Sequence, residues 1–75
     1  MQINLKDKLR SLRLQKNITQ EALANHLGIT PQSVGKWERG EGFPDITLLP
    51  SIALYFGVTT DELLGIDKAR IDERI

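Results

Sequence analysis

Residues 20–39 read QEALANHLGITPQSVGKWER, and the spacing within that stretch decides the fold. Ala24 follows Gln20 by four positions and Gly28 follows Ala24 by four, while Val34 and Trp37 come next at helical spacing. Two helices joined by a tight turn must cross steeply and closely. Such a crossing wants a small residue midway along the first helix, a turn residue that tolerates positive φ, and apolar anchors on the second. Ala24, Gly28 and the Val34/Trp37 pair supply these in order.

Outward from this core the chain divides into further helices. Asn4 is a good N-cap for a first helix, with Asp7 near the positive end of its dipole and Leu5, Leu9 and Leu12 as its buried stripe. Asn17 suits a left-handed stop after Lys16. Thr19 caps the second helix, which buries Leu23, Ala24 and Leu27 and ends at Gly28. Thr30-Pro31 starts the third: a hydroxyl cap, then proline where no amide hydrogen is needed. That helix reaches about Arg39, and the loop Gly40–Pro44 follows.

Asp45 caps a fourth helix carrying Ile46, Leu49, Ile52, Ala53 and Phe56. Pro50 either moves its regular part to Leu49 or bends its first turn. Thr59 to Glu62 forms a capping box for a short fifth helix ending at Gly65. The expected fold is all-α, with a five-helix domain over residues 1–65. Residues 66–75 read as a sixth helix, a tail or the start of a linker.

Seventy-five residues make one small domain. No cysteine is present, so disulfides and thiolate metal sites are excluded, which suits a cytoplasmic protein. No apolar run approaches the roughly 20 residues that span a bilayer. The net charge is zero but unevenly spread. Residues 1–39 hold seven basic and three acidic side chains, and residues 40–75 hold three and seven. A basic half suits one face meeting phosphate while the acidic half stays away.

On a helical wheel Val34, Trp37 and Glu38 share one side of the third helix, and Gln32, Lys36 and Arg39 share the other, with Gly35 beside them. The second side is free to enter a DNA major groove, which admits a helix. A glutamine amide at Gln32 can pair with adenine N6 and N7, and Lys36 can donate to guanine or to phosphate. Thr30 and Ser33 place hydroxyls at the helix start, where phosphate oxygens are favoured. Gln20 begins the second helix, where its amide can reach phosphate and brace Gln32. Arg39 suits a backbone contact. Gly35 costs about 1 kcal/mol of helix propensity, either for close approach to DNA or by simple tolerance.

The stretch Leu5 to Gly65 resembles the Cro/phage-repressor (XRE-type) helix-turn-helix family. It does so through Arg13, Thr19-Gln20, Leu23-Ala24, Leu27-Gly28, Val34, Trp37-Glu38, Gly40, Phe56-Gly57-Val58 and Asp61-Glu62-Leu63-Leu64. The resemblance implies a compact, lambda-repressor-like fold and a transcriptional regulator, read here as a repressor, bound to double-stranded DNA as a homodimer. It implies that Gln20 meets phosphate and that Pro31, Gln32 and Lys36 face the bases. Proline departs from the base-reading side chain some relatives carry at Pro31, leaving apolar contact or none. Arg13 pairs with Glu38 as a structural bridge, and the dimer surface includes Phe43, Pro44 and Leu64.

The remaining residues invite simpler readings. Trp37 belongs to the core, and His26 is a lone exposed histidine without partners for a metal. Asp61 and Glu62 cap a helix. No nucleophile–base constellation or phosphate loop appears, so neither an enzyme nor a cofactor is expected. Competing readings are a protein-interaction module on the same fold, or the DNA-binding part of an antitoxin or longer regulatory protein.

Overall fold

The computed structural model describes residues 3–66. Its helices are α1 Leu5–Gln15, α2 Gln20–Leu27, α3 Pro31–Glu38, α4 Leu49–Phe56 and α5 Thr60–Leu63, with a 3-10 turn Ile46–Leu48 before α4. The expected five-helix, all-α architecture is what forms, and no strand occurs among the described residues. The reading of residues 66–75 as helix, tail or linker lies, beyond Ile66, outside the described residues. None of the described helices is long and apolar enough to cross a membrane.

The starts of α2, α3, α5 and the 3-10 turn are set by local side-chain caps. The Thr19 hydroxyl accepts the Ala22 N–H at 3.0 Å, and the Thr30 hydroxyl accepts that of Ser33 at 3.4 Å. Pro31 then occupies the first turn of α3, where its missing donor costs nothing. Thr59 accepts from the Glu62 N–H at 3.0 Å. The Asp45 carboxylate accepts both the amide and the hydroxyl of Thr47 at 2.9 Å, and the amide bond above all holds its pKa below the ordinary value.

One helix start differs from expectation, and another takes one of its two expected forms. Asn4 sits at the N-cap position of α1 without a side-chain cap. Its backbone N–H instead donates to the Leu64 carbonyl at 2.8 Å, tying the start of α1 to the end of α5. At α4, Pro50 lies in the first turn and regular helix begins at Leu49. The preceding residues wind as a 3-10 turn, and Ile46 points into solvent.

The core is one cluster: Leu5 and Leu9 from α1, Leu23 and Ala24 from α2, Val34 and Trp37 from α3, Ile52, Ala53 and Phe56 from α4, and Leu63 from α5. Leu12 and Leu27 are only half-buried at its rim. Helix α2 packs on α3, α3 on α1, and α5 on both α1 and α4. With so few large side chains, much of the order rests on tight approach. Ala24 is fully buried, where a longer side chain would force the helices apart.

Gly28 makes the turn. Its φ is +71°, and a Cβ built there would meet no heavy atom within 4 Å. The demand is therefore purely conformational. Gly28→Ala is expected to cost about 1–2 kcal/mol, the penalty of left-handed backbone for a residue with a Cβ. Urea denaturation followed by circular dichroism measures it; an unchanged midpoint would mean the turn tolerates another conformation.

Candidate nucleic-acid interface

Helix α3 presents two chemically opposite sides. Val34 and Trp37 are buried, and Gln32, Lys36 and Arg39 are exposed. These three lie four and then three residues apart, so they share one face. At the start of that helix the Thr30 and Ser33 hydroxyls stand 3.2 Å from each other, and Pro31 and Ser33 are half-buried. Lys36 supplies one positive charge to this face and Arg39 a second.

A charged bracket beneath the face fixes how α3 sits. Arg13 on α1 grips Glu38 as a fork, Nε to Oε2 at 2.8 Å and Nη2 to Oε1 at 2.9 Å, and its Nη1 donates to the Ile18 carbonyl at 3.0 Å. The side chains are 12% and 5% exposed. Gln20 on α2 adds a third donor, its Nε2 lying 3.1 Å from Glu38 Oε1. Three helices thus converge on one carboxylate. Burial pushes Glu38 upward in pKa, yet the bonds from Arg13 and Gln20 and the charges of Arg13 and Arg10 outweigh it, and the net shift is downward. The bond to Glu38 in turn raises Arg13. Two parallel charge-assisted bonds set orientation as well as energy.

Gln20 was expected to brace Gln32; its amide instead reaches Glu38. Its carbonyl oxygen comes to 3.8 Å of where a Cβ on Gly35 would stand. Gly35 itself is buried, not on the open face. The Arg39 guanidinium covers it, with Nη1 3.0 Å from that same Cβ position. Arg39 also pairs through Nε with Glu41, both side chains more than half exposed.

Neither the Glu41 contact nor the Gln20–Glu38 bond was read from the sequence. The Gly40 turn was legible, and it returns the Glu41 N–H to the Lys36 carbonyl at 2.9 Å, which brings the carboxylate beside Arg39. His26, read as lone, stacks on Tyr55 with ring centroids 4.2 Å apart and planes 28° from parallel. Among the described residues no group of three or more His, Cys, Asp or Glu side chains is placed to hold a metal ion. Of the three residues expected at a dimer surface, Phe43 is 67% exposed, Pro44 is buried and Leu64 is half-buried.

Comparison with known proteins agrees with this geometry. A helix-turn-helix family model matches residues 9–63. The HTH-type transcriptional activator BcrR of Enterococcus faecalis is 46% identical over 59 residues, which is 79% of this chain and 29% of that protein. The chain thus spans less than a third of that relative's length. A transcriptional regulator from Listeria innocua superposes with a TM-score of 0.85 at 28% identity, covering 91% of this chain and 64% of that one. Hydroxypropylphosphonic acid epoxidase from S. wedmorenis contains a similar unit, with a TM-score of 0.73 and 36% identity over 80% of this chain and 32% of the enzyme. Paired with the crossing of α2 and α3 through Gly28, the match over residues 9–63 is decisive: the chain belongs to the helix-turn-helix family, in its Cro/C1 (XRE) branch.

Proposed function

We propose that this chain binds duplex DNA with sequence preference and regulates transcription by inserting α3 into the major groove. The carrying observation is the exposed row Gln32, Lys36 and Arg39 on a helix whose other side is locked to α1 and α2 through Glu38. Gln32 and Lys36 are the base-reading side chains, Pro31 offers apolar contact, and Thr30, Ser33, Gln20 and Arg39 face phosphate. The site needs no cofactor and performs no catalysis.

On this reading two copies bind half-sites about one helical turn apart, roughly 34 Å. Phe43 is the outward member of the dimer surface, and Pro44 and Leu64 support it from within. The chain acts as a repressor in the cytoplasm: occupying an operator requires nothing beyond the DNA face. A second reading draws on the epoxidase, where a similar unit is about a third of an enzyme chain. There the same fold serves as one module of a larger protein.

Affinity for a mixed-sequence duplex, titrated with salt from about 50 to 200 mM, tests the proposal. Binding should fall steeply with salt. Arg39→Gln should weaken all sequences alike and flatten the slope of log K on log salt by about one. Salt-independent binding, or none, would count against the DNA face.

A further inference from the structure

We propose that Glu41 sets the DNA affinity of this surface by holding Arg39 in an internal ion pair that phosphate must displace. This rests on the DNA-binding reading above. Four observations converge on it. The Gly40 backbone, at φ +76°, turns the chain after α3. That turn is closed by the Glu41 N–H donating to the Lys36 carbonyl at 2.9 Å, so the carboxylate is anchored beside the end of α3. The Glu41 carboxylate accepts from Arg39 Nε. Finally, the guanidinium lies back along its own helix over Gly35, where the missing side chain makes room for Nη1.

A carboxylate is poorly placed here on electrostatic grounds alone. It stands at the negative end of a helix dipole and next to a surface meant for phosphate. Its contact with Arg39 accounts for it: it occupies the same Nε–H that a phosphate oxygen would take. The seat also involves α2, because the Gln20 carbonyl oxygen comes to 3.8 Å of the same point above Gly35. Arg39 is therefore held over Gly35 and against Glu41 in the free protein and exchanges one anion for another on DNA. Glu41 acts through Arg39 as a positioning residue and touches no base.

A double-mutant cycle on Glu41 and Arg39 tests this, using a mixed-sequence duplex at low salt. Exposed ion pairs are weak, so the expected change is modest: Glu41→Gln tightens binding about two- to fivefold. In an Arg39→Gln background the same change has little effect. An equal gain in both backgrounds would mean that Glu41 acts only as a bulk negative charge and would overturn the proposal, as would no gain in the parent.

A DNA-free readout accompanies the cycle. The Arg39 Nε–Hε resonance of the free protein should move on Glu41→Gln and stay in place on the control change Asp61→Asn in α5. An unmoved resonance on Glu41→Gln would show that the pair does not form. Should the parent fail to bind any duplex, the DNA-binding reading itself fails and the proposal falls with it. A parent that binds without coupling between the two sites sinks only the role of Glu41.

Discussion

Replacing Glu38 with alanine is expected to destabilise the fold by about 2–3 kcal/mol. That is below the roughly 3–5 kcal/mol lost when one partner of a fully buried pair is stranded, because Arg13 and Glu38 are only partly buried. The Arg13 side chain would keep its charge at 12% exposure with no carboxylate opposite, and the Gln20 amide would lose its acceptor. A domain of this size has little margin, because stabilities lie near 0.05–0.15 kcal/mol per residue, roughly. Urea denaturation measures the loss, and a change under about 1 kcal/mol would show that water replaces the carboxylate. Breaking the pair differs from deleting it. An Arg13→Met, Glu38→Leu double variant should lose less than the sum of its single changes, since neither charge is left unpaired.

The same bracket gives a pH dependence with a definite sign. Glu38 titrates in the folded chain below its ordinary value near 4.5. Its contribution is therefore complete above that value and is lost as the pH falls through the depressed folded pKa. Stability of the parent should decline across that acid window, and Glu38→Gln should show a shallower decline. Parallel curves for the two proteins would remove the pair from the explanation of acid unfolding.

Gln32→Ala is expected to cost about 1–3 kcal/mol at one base position and to relax preference there, with folding unchanged. Gln32 is exposed on α3, so truncation removes no core contact. What it removes is an amide able to donate and accept at once, the pattern that adenine presents in the major groove. Selection from a random duplex library by parent and variant reads out the difference directly. The two selected motifs should match except at one position in each half-site. Identical motifs would assign base reading elsewhere, to Lys36 or to sequence-dependent shape of the DNA.

Helix boundaries were legible wherever one residue type has one use. Thr19, Thr30 and Thr59 cap, and Gly28 and Gly57 end helices in the left-handed conformation. Asn17 does the same at φ +56°. The α3 wheel separated Val34 and Trp37 from Gln32 and Lys36 because a helix that packs on one side must alternate in this way. Pairing of Arg13 with Glu38 came from family resemblance rather than spacing, since 25 residues separate them.

What escaped the sequence was the choice among equally good partners. The Gln20 amide suits phosphate and Gln32 by its place at the start of α2, and only the crossing of α2 and α3 brings it to Glu38. Gly35 lay near the boundary of the wheel, so a small error in angle placed it on the open face when it is covered by Arg39. Asn4 looked like a side-chain cap, yet the end of α5 comes close enough for its backbone to bond instead. The Gln20 and Asn4 contacts lie between elements and are set by packing that no local pattern encodes, whereas Gly35 turns on an angle within α3.

The proposed DNA surface is the open face of α3 together with the start of α2. Backbone amide shift mapping tests it most directly, with labelled protein titrated by a mixed-sequence duplex at low salt, because it detects weak binding residue by residue. Shifts concentrated at Thr19–Gln20 and across Thr30–Arg39 are the expected result. Shifts absent there, or confined to residues 45–66, would contradict it and favour a protein-interaction module built on the same fold.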